Sequence, residues 1–493
     1  MNKKQFLNEF KSFSVFPICE ELVFDMDTAI NTFYKFLDHK DVIFLEGISS
    51  TEQHGRYSYL ALDAYLKLIC YDNHYVIKKH NEEYNFDGTV FDALSSVLNQ
   101  FNMSDNSPDY ITGLYGTISY EVAAHSEDIK LPKQRRLDTP FAEFMVPRTT
   151  IVFDKHYHRM TLCYTLFKED INHHKINPLE AYETALKELD SLKKLIQKTV
   201  QVEPAFLFNE VDRYQEINAT YNRDKEKFYS DVERCKKYIY DGDIFQIQIS
   251  RRASVPYSGN PFHLYRYLRN FNPSPLMFFL KNNDTTLIGA SPEILVNVSD
   301  NKMIIRPIAG TRKRYSSDRT EDEIIQELVS DEKEKAEHIM LVDLARNDIG
   351  RACDLATVEV TDLMIVEKYT HVMHMVSEVQ GRLKENMTAV DALKYGFPAG
   401  TVTGAPKIRA MEIISELEDE QREFYSGGIV FFDFKGNLKT ALTIRSILVK
   451  DNVAYTQAAA GVVADSNPDD EFKETNNKMR SCLSAMTQFG DQP

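Results

Sequence analysis

Residues 428–449 read GIVFFDFKGNLKTALTIRSILV. Two runs rich in β-branched and aromatic residues flank Lys435-Gly436-Asn437, a turn composition, so the stretch predicts a β-hairpin. Short runs of the same kind recur through the first 165 or so residues, at DVIFLEG (41–47), YLKLICY (65–71) and TIVFD (150–154), separated by polar turns. Helical apolar spacing marks Pro178 to Lys198 and the stretch DEKEKAEHIMLVDLARNDI (331–349). After Asn222 a charged helix runs through IYDGD into the strand-like IFQIQIS (244–250). Paired strands followed by helices predict an α+β fold with largely antiparallel sheets rather than a doubly wound parallel one. Periodicity fades between 201 and 222, which predicts a linker between an N-terminal region (1–200) and a C-terminal domain (223–490).

Composition narrows the function. The chain has 493 residues, 43% of them hydrophobic, enough to fill a large core. Lys+Arg 58 against Asp+Glu 74 gives a net charge of −16, a poor match for sequence-independent nucleic-acid binding. Six scattered cysteines form no CxxC pair, so neither a zinc ribbon nor a disulfide framework is expected, and reduced thiols suit a cytoplasm. MNKKQFLNEFKSF lacks the apolar segment of a signal peptide, and no run approaches the 18 or so apolar residues of a membrane span.

Four features could carry chemistry. Glu334 and Glu337 are three apart near the start of a predicted helix, and Glu471 and Glu474 repeat the spacing in DDEFKETNNKMRS (469–481), with Lys478 one turn on. On a helix each pair projects from one side, and four converging carboxylates would suit a hard cation such as Mg2+. A single pair of this kind is ordinarily a solvated helix face. PAGTVTGAPK (398–407) lacks the spacing of a phosphate loop, because Lys407 follows Gly404 by three with proline before it. RPIAGTRKR (306–314) reads as a tight turn among basic residues. In HVMHMV (371–376) the alternation predicts a strand, so His371 and His374 face opposite sides and do not share a metal; an inward His could serve as an acid or base.

From about Asn222 to Met486 the chain resembles the chorismate-binding enzyme family, most closely its anthranilate synthase large-subunit branch. The matching stretches, in family order, include GDIFQIQISRR, NPSPLMFF, GASPEILV, RPIAGTRKR, AEHIMLVDLARNDIGR, HVMHMVSEVQGRL, FPAGTVTGAPKIRAMEII, YSGGIVFFDFKGNLKTALTIRS and DEFKETNNKMRS. The N-terminal third is similar only through FLEGISSTEQHGRYSYL and GLYGTISYE. The resemblance implies a β-sandwich flanked by helices, in four layers α/β/β/α. It implies an enzyme, a carbon–oxygen lyase that converts chorismate and ammonia to anthranilate and pyruvate at the start of tryptophan synthesis.

Carried over motif by motif, the resemblance makes Glu293 the general acid and His374 the group that helps remove the ring proton. Glu337 and Glu474 match direct Mg2+ ligands, while Glu334 and Glu471 match partners acting through water. Thr401, Tyr425 and Arg445 match residues around the enolpyruvyl end. Gly310, Thr311 and the backbone amides near Ala460 and Gly461 match other substrate contacts, and Lys478 matches a contact to the ring carboxylate. Ala459 stands where relatives commonly have glycine in that carboxylate loop. An inhibitory L-tryptophan site is implied at Glu46, Gly47, Asn272, Pro273, Ser274, Pro275, Leu276 and Met277, with Phe278 beside them; Gly47 and Leu276 replace an expected serine and tyrosine.

Two positions separate branches of the family. Aminodeoxychorismate synthases carry a nucleophilic lysine where this chain has Ala309. Isochorismate and salicylate synthases carry a water-activating lysine where it has Gln246. Both point to anthranilate synthase, with an aminodeoxyisochorismate or aminodeoxychorismate synthase as the alternative. A dead regulatory paralogue would lack Glu293, Glu337 or Glu474, and a nucleotide-dependent enzyme would need a phosphate loop. No cysteine lies in a G-x-C-x-G-x-Q setting, so the resemblance implies a separate glutaminase subunit that delivers the ammonia, in a heterotetramer.

Overall fold

The computed structural model describes residues 1–47, 55–200, 219–282, 284–314, 319–368 and 372–490. Most of the expected linker (201–218), the Ile48–Ser50 end of FLEGISS and His371 lie outside the described residues, as does the Thr311 side chain.

Every pairing between described strands is antiparallel. Two arms diverge from the paired strands Tyr57–Cys70 and Ala142–Asp154. The first runs through Asp41–Gly47, Leu276–Asn282, Thr285–Ser291, Ser446–Lys450 and Val453–Val462 to Gln246–Pro256. The second runs through Gly113–Ile118, Gly428–Asp433 and Leu438–Leu442 to Asn297–Ser299, Lys302–Ile305, Val372–Arg382 and Ile308–Lys313. Strands from before residue 200 therefore pair directly with strands from after 222.

The cores explain the layering. Ile429 and Phe431 join a cluster with Tyr59, Tyr115, Phe278 and Leu448, drawn from both arms, which fills the space between the two sheets. Val430 and Phe432 join a different cluster with Val90, Val342 and Val390 from helices outside the second arm. Across the sandwich, Phe278 and Leu280 face the shared core, while Met277 and Phe279 face Leu264, Leu268 and Met486 on helices outside the first arm. Side chains alternate faces along a strand, so a strand covered on both sides is apolar at every position, as GIVFF is. The inter-sheet core and the helix-facing cores on its two sides thus separate four layers, helix, sheet, sheet and helix.

The opening stretch makes three strands, not two: Gly428–Asp433, Leu438–Leu442 and Ser446–Lys450. The first two form the expected hairpin. The second run breaks at Thr443–Arg445 because the chain there leaves the second arm for the first, with Arg445 at φ 49°. RPIAGTRKR is likewise not a tight turn but a bulged strand, Ile308–Lys313, with Gly310 at φ 64°. A Cβ at Gly310 would sit 2.9 Å from Leu328 Cδ1 and 3.0 Å from Glu334 Oε2, so glycine is needed for conformation and for space.

Phe431 stacks on Tyr115 with ring centroids 3.7 Å apart and is 2% exposed. Phe431→Ala should lower stability by about 3–5 kcal/mol through lost burial and a cavity. Urea unfolding checks this; a change below about 1 kcal/mol would mean that the inter-sheet core collapses freely around the deletion.

Candidate active site

The acid candidate lies just beyond the end of strand Thr285–Ser291. Glu293 is buried, and its Oε1 accepts a hydrogen bond of 2.6 Å from the Thr401 hydroxyl. Burial raises its pKa to about 7, against the opposing effects of the Thr401 hydrogen bond and of the positive Arg445 and Lys478. Arg445 is partly buried, and desolvation lowers its pKa while Glu293 raises it. Its placement follows from the left-handed corner where the chain crosses between sheets.

His374 lies on strand Val372–Arg382 and is buried. Burial, reinforced by Arg445, lowers its pKa to about 4, so the ring is neutral at pH 7. A hydrogen bond with the backbone of Gly310 ties one ring nitrogen to the bulge. As a donor to that carbonyl, the ring keeps its other nitrogen as an acceptor. Tyr425 is buried beside a backbone hydrogen-bond partner at Ala459.

The four glutamates lie on two helices, Glu332–Ala352 and Pro468–Phe489. Lys333 acts electrostatically on both Glu337 and Glu471, which places the two helices' acidic sides within reach of one ammonium. Each acid already has partners. Glu334 pairs with Arg312 at 2.8 Å, Glu337 accepts from the Gln246 amide at 3.0 Å, and Glu474 pairs with Lys478 at 2.7 Å. Glu471 has a raised pKa, from burial first and also from the charge of Glu474. The four carboxylates are not drawn into one tight cluster among the described residues. The donor set still fits a hard cation: only carboxylate oxygens, three of them countered by Arg312, the Gln246 amide and Lys478, which a cation could replace.

Lys478 also donates to the Ala459 carbonyl at 2.9 Å, joining the C-terminal helix to strand Val453–Val462. Ala459 and Ala460 therefore belong to a strand rather than a loop, and the Ala459 methyl packs into the inter-sheet core. A Cβ on Gly461 would come within 3.0 Å of the Gln246 amide, the group that holds Glu337. Glu293, Thr401, Arg445, His374, Gly310, Lys478, Tyr425, Gly461 and the glutamates thus form one chain of contacts and electrostatic partners.

A second cavity, of about 270 Å3, opens between the sheets. Glu46, Gly47, Leu276, Met277 and Phe278 line it, whereas Asn272, Pro273, Ser274 and Pro275 do not. Glu46 is engaged elsewhere, accepting from Tyr265 at 2.8 Å and from Arg269 at 2.8 and 3.0 Å. Lys439, missed in the sequence, enters the cavity wall with its ammonium 3.1 Å from the Tyr59 hydroxyl and 3.7 Å from the centre of the Tyr110 ring. Burial lowers its pKa to about 8. The signal was present: Lys439 pairs across the hairpin with Phe431, at a position facing the shared core.

Comparison with known proteins places this geometry. A family model described as chorismate binding enzyme matches residues 49–484. The chain belongs to the chorismate-binding enzyme family. Anthranilate synthase component 1 of Acetivibrio thermocellus is 38% identical over 98% of this chain and 97% of that protein. Anthranilate synthase component 1 of Aquifex aeolicus is 36% identical over 97% of this chain and 95% of that one. The crystal structure of anthranilate synthase component I from Streptococcus pneumoniae superposes with a TM-score of 0.74 and 31% identity, covering 94% of this chain and 99% of that one. The menaquinone-specific isochorismate synthase of Escherichia coli, at 17% identity and a TM-score of 0.69 over 98% of each chain, shares the fold. Within the chorismate-binding family, then, the similarity to anthranilate synthase component 1 extends over both regions of this chain, including the N-terminal third.

The buried acid gives a stability test. Glu293 binds a proton more tightly folded, with a pKa of about 7, than unfolded, where a glutamate has its ordinary value of 4.5. Its favourable contribution is therefore complete in acid and is lost as pH rises through about 7. Glu293→Gln removes that titration, so the variant should gain on wild type by up to about 3 kcal/mol between about pH 4 and pH 8. Thermal unfolding across that range checks it; a constant difference would mean that Glu293 ionises without cost.

Proposed function

We propose that this chain is the large subunit of an anthranilate synthase, converting chorismate and ammonia to anthranilate and pyruvate. The observation that carries this reading is the buried Glu293–Thr401 pair, an acid poised near neutrality, joined through Arg445 to the neutral His374. A ring hydroxyl leaves poorly as hydroxide, and protonation by Glu293 makes water the leaving group as ammonia attacks. Pyruvate elimination then needs a ring proton removed, a role suited to the neutral imidazole of His374. Arg445, with Tyr425 and the amides of Ala460 and Gly461, is suited to hold the enolpyruvyl carboxylate. Gln246 and Ala309 provide no base or nucleophile in competition with ammonia.

Glu337 and Glu474 would hold Mg2+ directly, and Glu334 and Glu471 through water. When bound, the ion would hold the ring carboxylate and draw electron density from the ring. Lys478, released from Glu474, would supply a second positive contact to that carboxylate. Ammonia would come from a separate glutaminase subunit, in a cytoplasmic heterotetramer. Among the described residues, no helix is long and apolar enough to cross a membrane.

The purified chain with chorismate, Mg2+ and ammonium at about pH 8.5, where more ammonium (pKa about 9) is neutral, should form anthranilate and pyruvate in equal amounts. Glu337→Gln or Glu474→Gln should reduce this rate by at least about 100-fold without unfolding the protein, since even outer partners of a metal site matter by 10–100-fold. A non-aromatic amino product without pyruvate would favour the aminodeoxyisochorismate alternative. Near-normal turnover in either variant would remove the Mg2+ assignment.

The inter-sheet cavity supports a second part of the reading, feedback by L-tryptophan. Its walls offer Leu276, Phe278, Ile429 and Tyr110 to an indole, and Lys439 as a counter-charge for a carboxylate. With Gly47 in place of serine one hydroxyl contact is missing, worth about 0.5–1.5 kcal/mol. Tryptophan should therefore inhibit weakly, and Gly47→Ser should strengthen inhibition by roughly two- to tenfold. Inhibition titrations of both proteins check this; tight wild-type inhibition, or no effect of the serine, would show that other contacts set the affinity.

A further inference from the structure

A group of ionisable side chains outside the active site has a donor set of a different kind. His80 sits in the two-residue turn between strands His74–Lys79 and Glu82–Asp87. Asp170 and His174 lie one helical turn apart, in helix Lys168–His173 and at the residue that ends it. The ligand atoms of all three lie within 4.8 Å of one another. His80 Nε2 is 2.9 Å and His174 Nε2 3.4 Å from the same oxygen, Asp170 Oδ1. The other oxygen, Oδ2, is held 2.9 Å from Arg148. His173 stacks on His80 with centroids 4.5 Å apart, fixing the plane of that ring.

We propose that His80, Asp170 and His174 form a binding site for one divalent transition ion of the zinc class. Two imidazole nitrogens and one carboxylate oxygen suit Zn2+ or Co2+, whereas Mg2+ prefers oxygen donors throughout. The glutamate pairs and this site therefore select different ions. Three protein ligands leave a coordination position for water or an added ligand. Arg148 and Lys79 bring positive charge nearby; Lys79 is paired with Glu169, and Arg148 engages only Oδ2 of Asp170, leaving Oδ1 to the two histidines. The ion would tie the hairpin turn to the helix that follows strand Arg159–Phe167. Strand Glu82–Asp87 is exposed along its length and pairs only with His74–Lys79 among the described strands, so this hairpin has most to gain from a cross-link.

The inference is independent of the catalytic reading. Co2+ is titrated into the full chain in excess Mg2+, following the visible d–d absorption of a cobalt–imidazole site. One saturable equivalent, displaced by Zn2+, is expected. His80→Gln and His174→Gln should each weaken it by about tenfold or more, with circular dichroism unchanged and Mg2+-dependent turnover of chorismate intact. His174 is half exposed at a helix end, so its replacement leaves the fold in place. No cobalt spectrum in wild type, or a spectrum that survives either substitution, would overturn the proposal.

Discussion

The chain crosses from one sheet to the other at Thr443–Arg445, and the arrangement of the active site depends on that crossing. Strand Leu438–Leu442 belongs to the second arm and Ser446–Lys450 to the first, so the three residues between them must span the sandwich. Arg445 takes a left-handed conformation there. For a residue with a Cβ this costs of order 1 kcal/mol or more and persists only where the surroundings hold it. Here the sheets on both sides do so. The result is a partly buried guanidinium with Glu293, from the first arm, on one side and His374, from the second, on the other.

Burial shifts these two groups in opposite senses, each toward its uncharged form. It raises the carboxyl of Glu293 to about 7 and lowers the imidazole of His374 to about 4. Removing water penalises whichever form is charged, so one low-polarity site yields a carboxylic acid that can give a proton and an imidazole that can take one. Arg445 adds to the effect on His374 and tempers it on Glu293. The outer part of the site follows another rule. Its glutamates are only partly screened from water, and three of them are paired, Glu334 with Arg312, Glu474 with Lys478 and Glu337 with the Gln246 amide.

What the sequence revealed follows from the range of each interaction. The helices carrying the glutamate pairs, the Lys435–Asn437 hairpin turn and the antiparallel class depend on periodicity and turn chemistry within a few residues, and they could be read directly. The motif matches placed Glu293, Thr401, Arg445 and His374 in one neighbourhood although they are spread along more than 150 residues of chain. Three features depended on distant partners. The break at Thr443 comes from pairing with strands 285–291 and 453–462. The bulge at Gly310 is fixed by Leu328 and Glu334. The strand containing Ala459 pairs with residues 246–256. Lys439 was legible in principle, as a charge in phase with Phe431, but its significance appears only once both faces of that hairpin are known to be buried.

The same alternation that built the layers brings the inter-sheet cavity next to the acid. Ile294 lines the cavity with Leu276 and Lys439, and it also borders a small pocket that contains Glu293 and Thr401. One peptide bond separates the cavity wall from the acid. A ligand in the cavity changes turnover only if it favours one position of that wall over another. Ser291 constrains the choice, because its hydroxyl donates to the Glu293 carbonyl at 3.2 Å and its oxygen accepts from the Glu293 N–H at 3.3 Å. The backbone of the acid is therefore clamped on one side by Ser291 and bordered on the other by Ile294. The 2.6 Å contact from Thr401 holds its side chain. A displacement of Ile294 would be resisted by Ser291 and expressed at the carboxyl, where small changes in distance to Thr401 and Arg445 alter how readily the proton is given up. Coupling of this kind needs no large domain motion, only a cavity that shares its wall with the segment carrying the acid.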